Sequence, residues 1–128
     1  MSLRSPLGQV LGMGSAKQGV HHWWVQRLTS VALVPLSIWF LVSLLSLPSL
    51  DHAAVTAWMA QSVTALLLIL LVVVATWHSQ LGLRVIVEDY VHGAGARMLT
   101  LVAITFAHVL IGLAGVLAIL RVALRGTL

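Results

Sequence analysis

The sequence contains no cysteine. Disulfides, thiolate zinc sites and thiolate-held iron–sulfur clusters are therefore excluded from this chain. Charge is almost as scarce. Only 8% of the 128 residues are Asp, Glu, Lys or Arg, against about 25% in soluble domains. The hydrophobic share is 60%, and so short a chain has too much surface to hide that many apolar side chains from water. The bilayer is the solvent that this composition fits. Three acidic and seven basic residues give a net charge of +4. The basic residues are spread over several loops, which argues against a nucleic-acid surface and makes them reporters of membrane topology. Residues 1–19 carry Arg4 and Lys17 but no adjacent apolar stretch or small-residue cleavage site, so a secretory signal peptide is not expected. No internal repeat or low-complexity tract is present, and residues 1–128 read as a single membrane domain.

Long apolar blocks are what the chain does have. They run over about 28–47, 57–83 and 98–120, and each meets the ~20 residues that a helix needs to cross a ~30 Å hydrocarbon layer. The expected fold is an all-α membrane protein with three transmembrane helices, preceded by an N-terminal segment over 1–27. Pro35 falls inside the first block and predicts a kink. Pro48, Ser49 and Asp51 mark the first turn, and His92-Gly93-Ala94-Gly95 the second. Arg4, Lys17, Arg27, Arg84 and Arg97 flank one side of the spans, whereas Arg121 and Arg125 flank the other. This excess assigns the N-terminus and the second loop to the cytoplasm and the C-terminus to the periplasm. Trp23 and Trp24 are expected in the aromatic belt at the entry to the first helix, and Trp58 in the belt at the far side.

One residue of the second block stands out chemically. His78 is the only ionisable side chain between Ala53 and Leu83, and such a group inside a membrane marks function by default. Neutral imidazole is a common axial ligand of heme iron. At 100° per residue, His78, Gly82, Val85, Ile86 and Asp89 share one helical face. Gly82 leaves room one turn from the imidazole for a flat macrocycle. A histidine hydrogen-bonded to a neighbouring helix fits the same pattern.

If the second helix runs on past Arg84, Asp89 and the sole tyrosine, Tyr90, arrive ~16–18 Å along the axis from His78, at the cytoplasmic interface. A phenol donates a hydrogen bond to a quinone carbonyl, and a neighbouring carboxylate orients it. An interfacial tyrosine beside a solvated acidic helix end is the other reading. Arg27 closes the run Gly-Val-His-His-Trp-Trp-Val-Gln-Arg that begins at Gly19. It suits an anionic group such as a heme propionate and lipid phosphate equally well. His108, beside Gly112, Ala114 and Gly115, is either a second ligand or a packing residue, and His52 and His92 belong to loops.

Taken together, these positions resemble the smaller hydrophobic anchor subunit of succinate dehydrogenase, respiratory complex II. The resemblance rests on His78, on Gly82 four residues later, and on the Asp89-Tyr90 pair eleven and twelve residues on. It extends to Gly19, Val20, His21, Arg27 and Thr29 at one end and to Arg97 at the other, so it covers nearly the whole chain. It implies that His78 is one axial ligand of a b-type heme whose second ligand comes from a partner anchor subunit of the cytochrome b556 type. His21 and Arg27 would then lie near the heme propionates, and Tyr90 would bind ubiquinone with the support of Asp89. His108 need not be a ligand. Trp23, Trp24 and His22 fall outside the matching pattern.

The implied partners are that second anchor, an iron–sulfur subunit, a flavoprotein subunit and membrane lipid. Succinate oxidation belongs to the peripheral subunits, since this chain has no flavin, nucleotide or cluster motif. The implied location is a bacterial inner membrane, with the mitochondrial inner membrane as the alternative. Two other classes compete with this reading: a small transporter or channel subunit in which His78 and Asp89 relay protons, and a purely structural anchor.

Overall fold

The computed structural model describes residues 18–125. Among these residues there are four helices and no strand: α1 Gln18–Leu45, α2 His52–Met59, α3 Ser62–Tyr90 and α4 Ala94–Leu124. Three of them, α1, α3 and α4, are long and apolar enough to cross a membrane. They comprise 28, 29 and 31 residues, or ~42–46 Å at 1.5 Å per residue. That exceeds the ~30 Å hydrocarbon layer and matches the ~40–45 Å that includes the headgroups. Arg84, Glu88, Asp89 and Arg97 end the hydropathy blocks early, but nothing in them stops a helix. Polar helix ends therefore project into the interface.

The chain between α1 and α3 differs from the hydropathy pattern. The second apolar block begins inside α2, a separate short helix. Asp51 caps α2 by accepting the Ala54 N–H at 2.8 Å, and the Ser49 hydroxyl donates to the same carboxylate at 2.6 Å. These two donors, the Ala54 amide first, hold the Asp51 carboxyl below its usual pKa. The helix then breaks at Ala60-Gln61. Gln61 is extended, with φ −67° and ψ 129°, and its carbonyl starts α3 by accepting from Ala65 N at 2.8 Å. Neither residue depresses local hydropathy as a proline or a charge would, so the break leaves no trace in the apolar pattern.

Trp58 is corrected by this arrangement. It is not in an interfacial belt but buried at 7% exposure. The short α2 packs back onto α3 and α4, which places the indole with Ala65, Leu68 and Ile119 in the main hydrophobic cluster. Its Nε1–H donates to Ser43 Oγ at 2.7 Å, meeting the one polar need of a buried indole. Trp39 stacks on it at 6.3 Å between centroids, and Phe40 tilts against it at 6.2 Å. Trp23 and Trp24 are both more than half exposed near the start of α1, as a belt requires.

Helix α3 is the centre of the bundle. It packs against both α1 and α4, which do not pack on each other among the described residues. The α3–α4 pair is antiparallel and close. A Cβ on Gly115 would lie 2.9 Å from Val72 Cγ1, and one on Gly112 would lie 3.5 Å from Thr76 Cγ2. Small residues let two membrane helices approach, because packing rather than exclusion of water joins them. Pro35 is carried within a continuous α1. Arg27, Arg84 and Arg97 lie toward one end of the bundle, and Arg121 and Arg125 toward the other. Arg4 and Lys17 fall outside the described residues.

Candidate functional site

The polar side chains gather where α1 meets α3, at the end away from α2. His78 projects toward α1, and its Nδ1 lies 2.9 Å from Thr29 Oγ1. Thr29 is itself buried, at 6% exposure. Its hydroxyl also lies 2.9 Å from the Val25 carbonyl and 3.0 Å from the Gln26 carbonyl of its own helix. Nε2 of His78 makes no hydrogen bond within the described residues.

One turn along, Gly82 faces Gln26. A Cβ at Gly82 would meet only the Gln26 side-chain nitrogen, at 3.9 Å, so α1 does not require a glycine there. The space above Gly82 is otherwise open among the described residues. Two buried polar atoms nearby have no hydrogen-bond partner among the described residues, His22 Nε2 and Gln26 Oε1. Buried groups of this kind are rare and call for an explanation.

Beside them runs a groove of about 680 Å³, lined by His21, His22 and Val25 from α1 and by Trp77, Gln80, Leu81, Arg84 and Glu88 from α3. The spacing of Trp77, Leu81, Arg84 and Glu88 is that of a single helical stripe. Arg84 Nε donates to Glu88 Oε1 at 2.9 Å across one turn. Both side chains are about half exposed, so the pair adds little stability.

The other expected site residues are placed as follows. His21 opens onto the groove. Arg27 is exposed and lies over the Trp23 ring, 5.3 Å from its centroid, in a cation–π contact. Helix α3 does continue to Tyr90, which puts Asp89 and Tyr90 ~16–18 Å along the axis from His78. Tyr90 is 77% exposed. Neither Asp89 nor Tyr90 touches His21, Arg27 or His78 through a hydrogen bond or ion pair. The chain thus joins His78 to Thr29 and His21 to the groove, and leaves the Asp-Tyr pair at an open helix end.

His108 is accounted for by packing. Its Nδ1 lies 2.8 Å from the Ile104 carbonyl and its Nε2 3.3 Å from Ser79 Oγ on α3. Both nitrogens thus have a polar neighbour among the described residues. Among the described residues, no three His, Asp or Glu side chains converge into a metal site.

The sequence offers little warning of His22 and Gln80 as lining residues or of Gln26 facing Gly82, and Thr29 stands in it only as part of a spacing pattern. The Thr29–His78 bond spans 49 residues, beyond the reach of any local periodicity. The one available signal was a polar stripe on α1, with His22, Gln26 and Thr29 spaced by four and three residues.

Comparison with known proteins identifies the family. Residues 1–112 match the family described as "Succinate dehydrogenase/Fumarate reductase transmembrane subunit". The succinate dehydrogenase hydrophobic membrane anchor subunit of Rickettsia bellii (strain RML369-C) is 28% identical over 116 residues, 91% of this chain and 93% of the relative. The protein of the same name from Paracoccus denitrificans is 28% identical over 113 residues, 88% of this chain and 87% of its own. That from Rickettsia conorii (strain ATCC VR-613 / Malish 7) reaches 35% over 79 residues, 61% of this chain and 63% of the relative. With three apolar spans and a match over most of its length, the chain belongs to the succinate dehydrogenase/fumarate reductase transmembrane subunit family.

Proposed function

We propose that this chain is the smaller hydrophobic anchor subunit of a succinate:quinone oxidoreductase in a bacterial inner membrane. In this reading it supplies one axial ligand to heme b and part of the ubiquinone site. The observation that carries it is His78: an imidazole within an apolar span, tied down through Nδ1 while Nε2 stays free. Such an imidazole would hold a heme iron together with a ligand from the partner anchor. The open space over Gly82 and the unpartnered His22 and Gln26 atoms fit a bulky group with polar edges against this face.

His78 would hold the heme iron, and His21 and Arg27 would bind its propionates. When bound, heme is a one-electron carrier. The remaining roles belong to α3 at the interface. Tyr90 donates its phenol hydrogen bond to a quinone carbonyl and Asp89 orients it. The exposure of Tyr90 supports this, because a quinone arriving from the membrane or from a subunit interface meets it without displacing other side chains.

Succinate is oxidised by the flavoprotein and iron–sulfur subunits, and a second anchor of the cytochrome b556 type closes the bundle over His78. The broad apolar surface still exposed on α1 and α4, including Leu28, Val31, Phe106 and Leu110, is what such a partner and lipid would cover.

Visible absorption of the purified complex tests the heme assignment. His78→Ala should remove the b-type spectrum, and retention of the full spectrum would defeat the assignment. Tyr90→Phe should lower quinone reduction while sparing succinate oxidation by an artificial acceptor. Equal loss of both activities would point to failed assembly instead.

A further inference from the structure

We infer that Thr29 is a positioning residue for His78: its oxygen takes the Nδ1–H, which fixes the tautomer whose Nε2 lone pair is free for iron. The inference rests on the heme-ligand reading of His78 and adds a residue to it.

A threonine hydroxyl has one proton and two acceptor positions. Thr29 has two carbonyl acceptors on its own helix, Val25 at 2.9 Å and Gln26 at 3.0 Å. These short i−4 and i−3 contacts are where a helical threonine places its proton. Once the proton is there, the oxygen can only accept on its other side. The group on that side is His78 Nδ1 at 2.9 Å, which must therefore carry the proton. Burial of Thr29 keeps water from taking either role.

The consequence is chemical. An imidazole that donates its second N–H to an acceptor is held in one tautomer and one ring orientation, and is a more basic ligand. Greater basicity favours ferric over ferrous iron. Serine at position 29 would keep the oxygen, whereas valine keeps the shape and removes it.

Two measurements test this. In the full chain, labelled with ¹⁵N-histidine and reconstituted in lipid, the neutral imidazole of His78 should carry its proton on Nδ1 and leave Nε2 bare. A neutral imidazole with its proton on Nε2 in the unaltered chain overturns the inference, and that reading needs no variant to fold. In the complex, Thr29→Val should weaken heme retention by about 10–100-fold and raise the heme midpoint potential, while Thr29→Ser should stay close to the original on both counts. A Thr29→Val complex with full heme retention and an unshifted potential also overturns it. His78→Ala separates the two levels. If that variant keeps its heme, the ligand reading itself fails. If it loses heme while Thr29→Val changes nothing, only the role of Thr29 fails.

Discussion

At the α2 end of the bundle, Trp58, Ala65, Leu68 and Ile119 close on one another, with Trp39 and Phe40 packed around the indole. At the opposite end, α1 and α3 stand apart enough to leave a groove of about 680 Å³ lined by histidine, glutamine, arginine and glutamate. The first region satisfies its polar groups internally, as the Trp58–Ser43 bond shows. The second buries His22 Nε2 and Gln26 Oε1 without partners. One end is a finished core, whereas the other leaves polar groups unmet among the described residues. A protein that needed only to hold three helices together would have no reason to leave the polar end open, since each unmet buried group costs about 1–3 kcal/mol.

The largest expected effect lies at the closed end. Trp58→Ala removes a buried indole and should cost about 3–5 kcal/mol, measured by denaturant unfolding of the reconstituted chain. The ¹⁵N pattern of His78 should be unchanged by it. If the Thr29–His78 bond is lost as well, the two ends are not independent and the contrast drawn above breaks.

Two glycines sharpen the same contrast at smaller scale. Gly115→Ala forces a methyl to 2.9 Å from Val72. The overpacking should cost about 1–3 kcal/mol, offset in part by roughly 1 kcal/mol of better helix propensity. Gly82→Ala meets nothing closer than 3.9 Å and should stabilise the isolated chain by up to about 1 kcal/mol. In the assembled complex the proposed heme site predicts that the same methyl lowers heme content, because it fills space left open beside His78. Unchanged heme content in Gly82→Ala would show that the open space is incidental.

The smallest effect concerns Asp51, fully outside the spans. Its folded pKa lies below the usual carboxyl value of 3.8. Its contribution is therefore present above that value and is lost as pH falls through the lowered folded pKa. Helicity at the start of α2 should hold from neutral pH down to the carboxylate range and decline only below it. Asp51→Asn, which still offers a capping oxygen, should abolish that acid-dependent step. An identical pH profile in the variant would locate the titrating group elsewhere.

Hydropathy alone made the three spans legible, because a membrane helix must be apolar over a fixed length. It did not reveal α2, since the break at Ala60-Gln61 is made by backbone conformation rather than by a change in polarity. Trp58 misled for the same reason: an indole near the end of an apolar block reads as a belt residue until α2 folds it inward. The placement of candidate residues was legible where one helix carries them, as with His78 and Gly82 one turn apart on α3 and Tyr90 at its end. It was illegible across helices, where Thr29 and Gln26 acquire meaning only from the α1–α3 register. Local spacing suggested His108 as a competing ligand, and only the contacts to Ile104 and Ser79 assign it to packing.

The Thr29–His78 pair also bears on the order in which the protein is made. Thr29 can rest its proton on Val25 or Gln26 within α1, so the first helix enters the bilayer with that hydroxyl donor already satisfied. The partner that His78 Nδ1 uses instead was translated 49 residues earlier. When α3 emerges, the group that relieves its costly imidazole N–H is already in the membrane. With Thr29 as acceptor, as inferred above, chain order places the acceptor before the donor.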